Sequence, residues 1–305
     1  MGFSRRRGLV HASRNRQMTD VLLSQAQRDE FQEQGLLIIR GFYDLARDIL
    51  PIQRGIYAII GLVIDKYRLP IARADFCAQT FDSGFQALIA ANRAYGAEVY
   101  DAVKQIPAFV RLVAHPLHEV LFRELRGVAL PGVAAGGYGI RIDNPGEDRF
   151  RANWHQEYPA QLRSLDGLVY WSPLLAIDEA LGPVQFCPGS HRDGLVPVHT
   201  TDARNPEKTQ AYSLVLEDEQ ARVARYRQIA PLTAPGDLVV SDFLLLHASG
   251  HNRGERSRWS MQLRYFNFLE PTGRAHGWKG SYAAGVDFRS VHPELCADKT
   301  DQEDE

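Results

Sequence analysis

Cysteine is scarce in this sequence. Cys77, Cys187 and Cys296 make an odd set with no Cys-x-x-Cys pair. That leaves neither a disulfide framework nor a thiolate zinc site, and a reducing, cytoplasmic setting fits best. Excess charge is lacking too. With 35 basic and 37 acidic residues, a formal charge of −2 and a pI near 6.6, nucleic acid and anionic membranes are not expected as partners. Long apolar runs are also missing: the most apolar stretch, Ile56 to Ile64, is far short of a membrane span. The first 20 residues carry Arg5, Arg6, Arg7, Arg14 and Arg16 without the apolar region of a signal peptide, and read as a flexible basic tail.

What is present is a chain of 34.3 kDa, long enough for a large core, whose texture changes near Pro131. Before it, Leu22 to Gln34 reads as a helix capped by Ser24, and Gly35 to Phe42 as a short apolar strand between glycines. Helical patterns then run from Asp44 to about Leu125, with breaks near Pro70, Pro107 and Pro116. His115 and His118, three apart there, have no third ligand in register and read as packing residues. After Pro131, short strands are expected at Tyr138–Asp143, Leu168–Leu174, Pro183–Cys187, Tyr212–Leu216, Leu238–Ser241, Phe243–His247 and Arg258–Phe268. Turn signals separate them, which suggests a sandwich or jelly roll. The reading is α+β: a helical part over about 21–130 packed on a β core over about 131–270, one domain spanning 21–296, and a disordered acidic tail over 297–305.

Chemistry concentrates at Trp154-His155-Gln156-Glu157-Tyr158-Pro159. On a strand, residues two apart share a face, so His155 and Glu157 would project together. A His and a carboxylate are two-thirds of the face that holds non-haem Fe(II). The pair alone is weak, since 10 His and 37 acidic residues in 305 give about one His-x-acid match by chance. The chain holds two more, His191/Asp193 in a Pro-Gly turn and His292/Glu294 in an irregular stretch. For a third ligand, His247 at the end of an apolar strand is preferred to His251 in the following turn.

Alternation along Arg258–Phe268 puts Trp259, Met261, Leu263 and Tyr265 on an apolar face. Arg258, Ser260, Gln262 and Arg264 fall on a polar one that lines an interior or solvent. If 248–257 close a hairpin, Arg258 stands opposite His247. Arg141 shares a strand face with Asp143, and either it or Arg264 contacts a ligand or forms an ion pair. Arg149, Arg151 and Arg163 flank the metal segment and hint at an anionic substrate.

Together, His155-Gln156-Glu157, Gly182-Pro183, Cys187-Pro188-Gly189-Ser190-His191, and His247-Ala248-Ser249-Gly250-x-Asn252 followed by Arg258 resemble the phytanoyl-CoA dioxygenase family over roughly residues 22–270. The resemblance implies a cupin-like double-stranded β-helix (jelly roll) and an Fe(II)- and 2-oxoglutarate-dependent dioxygenase, with O2 as second co-substrate and ascorbate as a stimulant. It implies His155, Glu157 and His247 as iron ligands and Arg258, eleven residues after the last, as partner of the 2-oxoglutarate C5 carboxylate. Ser249 matches a position that assists that arginine, and Trp171 and Gln156 match positions lining the co-substrate pocket. Glu157 departs from the pattern, which usually has Asp. The expected reaction hydroxylates a small molecule, releasing succinate and CO2. The rivals are a cupin-like metal enzyme without 2-oxoglutarate and a non-catalytic jelly-roll binding protein.

Overall fold

The computed structural model describes residues 21–128, 130–209, 213–280 and 286–298. The expected basic tail, Tyr212 and residues 299–305 lie outside the described residues. Ser24 opens helix α1 (Gln25–Gln34) through a reciprocal capping box with Gln27, and left-handed Gly35 (φ 65°) closes it. Strand β1 (Leu36–Ile39) follows directly. In α2 (Leu50–Lys66), Ile52, Ile56, Ile60 and Ile64 recur every fourth residue and are all buried, which is how the apolar run at Ile56–Ile64 is absorbed into the core. Among the described residues no helix is long and apolar enough to cross a membrane.

Residues 67–84 are not helical as expected; they run as turns and extended chain. Arg68 takes a left-handed conformation, Pro70 denies the helix a donor, and Arg73 holds the detour by donating to the carbonyls of Tyr57 and Ser83. Helices α3 (Phe85–Ala91) and α4 (Arg93–Val103) come next. The breaks expected at Pro107 and Pro116 are where α5 (Pro107–Val113) and α6 (Pro116–Arg126) begin, since a first turn leaves the missing N–H unused.

The second half supplies β2 (Pro131–Val133), β3 (Gly139–Asp143), a short helix α7 (Tyr158–Gln161) and β4 (Gly167–Pro173). Then come β5 (Gln185–Phe186), β6 (Val198–His199) and β7 (Val215–Leu216). Last are β8 (Leu238–Asp242), β9 (His247–Ala248) and β10 (Arg258–Asn267). One antiparallel sheet has the order β1-β8-β4-β10, with β2 and β3 both along the far edge of β10. Its outer face meets the helices: Trp259 packs on Phe81 and Phe85, and the Tyr170 and Tyr265 hydroxyls donate to the carbonyls of His118 and Val113. Each such buried side chain contributes about 1.5–3 kcal/mol. Facing the inner side are two two-stranded sheets, β5–β9 and β6–β7. The protein is thus a mixed α/β fold with antiparallel sheets.

Two expectations need correction here. Phe243–Leu246 is a turn rather than a strand. Its side chains Phe243, Leu245 and Leu246 are buried, so a buried turn imitates a strand's composition while the chain crosses from β8 to β9. Ala297 and Asp298 are also not part of a free tail. The Ala297 N–H donates to the Val198 carbonyl, and the Asp298 carboxylate accepts from His199 and Thr200.

Candidate functional site

The Trp154–Pro159 segment is not the regular strand expected. His155 makes a single antiparallel bridge to His247, each N–H donating to the other's carbonyl (3.0 and 3.1 Å). Glu157 leaves the extended path and starts α7, held by its N–H on the Phe243 carbonyl at 2.8 Å. Directly opposed residues send side chains to the same side, and the two imidazoles lie 4.2 Å apart. With Glu157 at that turn, its Oε2 sits 3.7 Å from His247 Nε2.

Side-chain atoms of His155, Glu157 and His247 all fall within 4.8 Å of one another, the one such cluster of three His, Cys, Asp or Glu residues among the described residues. Backbone carbonyls orient both rings. His155 Nδ1 lies 2.7 Å from the Asn153 carbonyl and His247 Nδ1 lies 2.9 Å from that of Leu245. A carbonyl only accepts, so both Nδ1 atoms carry a proton, and Nε2 is the nitrogen of each ring placed to ligate a metal. Burial pushes the His155 pKa down to about 3, which keeps that ring neutral. Burial alone would raise the Glu157 carboxyl; the Arg264 guanidinium outweighs it and holds the group ionised, well below the usual carboxylate range. Two imidazoles and a carboxylate are the donor set of a two-His-one-carboxylate iron site, and the residues present fit that ion.

The cluster opens into a cavity of about 730 Å3, inside the usual small-molecule range of roughly 300–1,000 Å3. Lys104, Arg141, Arg151, Lys208 and Arg264 line it, against the single carboxylate of Glu157. Arg264, on the inner face of β10, donates from Nε to Glu157 Oε1 at 2.9 Å. Gln161 reaches the same oxygen at 3.2 Å. Strand parity placed Arg264 on this face; its partner lies 107 residues away and carries no local signal.

Arg258 does not stand opposite His247. The neighbours of β10 are β3 and β4, not β9, and Arg258 is in register with Asp143. Its guanidinium is 1% exposed, donates to Asp143 Oδ2 and the Gly182 carbonyl, and is absent from the cavity lining. Asp143 Oδ1 accepts from Arg141 at 2.8 Å, so one buried carboxylate joins sealed Arg258 to cavity-facing Arg141. Burial would raise the Asp143 pKa, but the two arginines prevail and lower it.

Trp171 and Ser249 line the cavity. Gln156 lines it as well, but both donors of its amide go to the carbonyls of Gly194 and Leu244 and its oxygen accepts from the Val196 N–H. It ties loops together and has no donor left for a co-substrate. His191 sits against the Gln32 carbonyl and His292 against Tyr158, so neither further His-x-acid pair converges with another ligand. His251 pairs with exposed Asp148, and His118 packs against Tyr43. Of Arg149, Arg151 and Arg163, only Arg151 lines the cavity. The Gly182-Pro183 and Gly250 signals share one cause: a Cβ on Gly182 would lie 2.3 Å from the His251 carbonyl oxygen, and one on Gly250 2.4 Å from that of Pro183. The strands β5 and β9 can approach only without those side chains.

The sequence profile described as Phytanoyl-CoA dioxygenase (PhyH) matches residues 31–260. The chain belongs to this family, and it is therefore a 2-oxoglutarate-dependent non-haem iron oxygenase. Solved structures share its fold at low identity. EctD from S. alaskensis, solved with 2-oxoglutarate and 5-hydroxyectoine, is 19% identical with a TM-score of 0.53, covering 82% of this chain and 78% of its own. The non-heme alpha ketoglutarate dependent carbocyclase SnoK from nogalamycin biosynthesis is 16% identical with a TM-score of 0.51, over 81% and 85%. The epimerase SnoN, in complex with Fe3+, alpha ketoglutarate and nogalamycin RO, is 14% identical with a TM-score of 0.51, over 86% and 91%. No curated protein matches the chain in sequence.

Proposed function

We propose that this chain hydroxylates a small molecule at an iron held by His155, Glu157 and His247, on a double-stranded β-helix within a single domain over 21–296. The observation that carries the reading is the convergence of three ligand atoms with both Nδ1 positions tied to carbonyls. The bound iron and 2-oxoglutarate would supply the oxidising chemistry: O2 and 2-oxoglutarate give succinate and CO2, and the second oxygen atom enters a substrate C–H bond. The chain's own residues orient the reactants. His155 and His247 offer Nε2 atoms that the Asn153 and Leu245 carbonyls keep aimed inward. Trp171 and Phe186 give the wall its apolar part.

For the distal carboxylate of 2-oxoglutarate we assign Arg141 rather than Arg258. Arg141 lines the cavity while Arg258 is sealed behind Asp143, so Arg258 supports the anchor instead of touching the ligand. A guanidinium held by a neighbouring carboxylate is pre-aimed for a planar anion. Ser249 and Arg151 flank the same wall, the Arg151 Nη1 donating to the Ser249 carbonyl. The basic lining also favours a substrate with an acidic group, which would compete with the present carboxylate partners Asp101, Asp143, Asp148 and Asp202. Conversion of 2-oxoglutarate to succinate by purified protein, with Fe(II) and ascorbate and no added substrate, tests the reading. Turnover that disappears in Glu157→Ala is expected. A protein that binds metal but never decarboxylates 2-oxoglutarate favours the cupin-like alternative.

A further inference from the structure

Glu157 stands where an aspartate is usual, and its extra methylene adds a rotatable bond to an iron ligand. A glutamate free to turn can offer a metal one oxygen or both. Here one oxygen is already engaged. Oε1 accepts from Arg264 Nε at 2.9 Å and from Gln161 Nε2 at 3.2 Å, while Oε2 lies 3.7 Å from His247 Nε2. Arg264 is itself fixed, donating to Gln262 Oε1 at 3.0 Å and to the Gly137 carbonyl at 3.3 Å. Both partners are largely enclosed, with Glu157 3% exposed, so the pair is not a screened surface contact.

We propose that Arg264 is the positioning residue that makes Glu157 a one-oxygen ligand, compensating in this chain for the longer acid. The inference rests on the metal reading above. Two histidines and one carboxylate oxygen would leave a bound iron open positions for 2-oxoglutarate and oxygen. A second oxygen from Glu157 would take a position that the co-substrate or oxygen needs. Arg264 prevents this by holding Oε1 away, and its charge sits where it touches the ligand rather than the metal.

The test is anaerobic titration of the full chain with Co(II), then with 2-oxoglutarate, following the visible absorption of the bound ion. Arg264→Gln should still load with Co(II) at saturating metal, its affinity lowered by no more than the roughly 10- to 100-fold typical of outer-sphere substitutions, but the Co(II) spectrum should change and 2-oxoglutarate should bind more weakly than to the wild type. Arg264→Lys, which keeps the buried charge and guards against misfolding, should restore part of that loss. In a Glu157→Asp background, where the shorter acid no longer reaches the guanidinium, Arg264→Gln should matter less. An unchanged spectrum and affinity in folded Arg264→Gln, or an equal loss with Asp at position 157, overturns the proposal while the metal site stands. A wild-type protein that takes up no Co(II) overturns the metal reading and this inference together.

Discussion

Strand β10 gives one wall of the cavity ten residues of ladder, hydrogen-bonded to β4 on one side and to β2 and β3 on the other. The wall opposite is held by two-residue strands and by single bridges, His155 to His247, Phe186 to Ile229 and Val198 to Cys296. The regular wall carries the basic residues Arg141 and Arg264; the irregular one carries His155, Glu157 and His247. Regular pairing fixes a side chain by parity alone. The irregular wall achieves its geometry differently, through carbonyls that grip each Nδ1 and glycines that let β5 and β9 close up. Anchors for a carboxylate thus sit on the rigid layer, and ligands for a metal on a layer that must be tied down atom by atom.

Removing a ligand from the irregular wall should have the largest effect. His155→Ala is expected to abolish tight Fe(II) binding, since half a ligand face remains, whereas His191→Ala and His292→Ala should load iron as the wild type does. Iron analysis after anaerobic loading and desalting checks this; iron kept by His155→Ala and lost by His191→Ala would reverse the assignment. On the regular wall, Arg141→Leu should cost about 2–5 kcal/mol of 2-oxoglutarate binding, roughly 30- to several-thousand-fold, by leaving a buried ligand charge unpaired. Arg258→Leu should instead weaken the fold, by about 3 kcal/mol from a broken buried pair, with a smaller affinity loss. Thermal melting and ligand titration on both variants separate the roles, and a larger affinity loss in Arg258→Leu would return the anchor to Arg258.

The close approach of β5 and β9 is tested by Gly182→Ala. A positive φ of 69° and a Cβ 2.3 Å from the His251 oxygen should cost upward of about 1–3 kcal/mol. Gly127→Ala, left-handed at φ 63° and ψ 22° with nothing within 4 Å, should cost less. Equal melting temperatures would show that contact there adds nothing to backbone strain. The smallest effect belongs to the C-terminus. Truncation after Asp298 removes a charged segment with little apolar area and should leave Tm nearly unchanged, while truncation before Ala297 removes the Asp298 bonds to His199 and Thr200 and should lower it by a few degrees.

The regular wall was the more legible one. Alternation in β10 correctly separated buried Trp259, Met261, Leu263 and Tyr265 from inward Gln262 and Arg264, and Ser24 was readable as a cap because its partner Gln27 is three residues away. The grouping of His155, Glu157 and His247 was readable in residue type and order but not in local conformation: the assumed strand is one bridge and a helix start. What failed were inferences that needed a neighbour across the fold. Arg258 was placed opposite His247 by assuming a hairpin, whereas its strand pairs with β3 and β4. The ties of Asp143 to Arg258 and of Glu157 to Arg264 span more than a hundred residues and leave no periodic trace.

If both walls serve one iron and one co-substrate, a single titration shows it directly. Fe(II)-loaded protein under nitrogen is titrated with 2-oxoglutarate while the charge-transfer absorption of the chelate is followed. Wild-type protein should develop the band to saturation at one equivalent per chain, His155→Ala should show none, and Arg141→Leu should develop it only at much higher 2-oxoglutarate. A band that survives in His155→Ala, or iron-loaded wild-type protein that never develops one, would contradict the account.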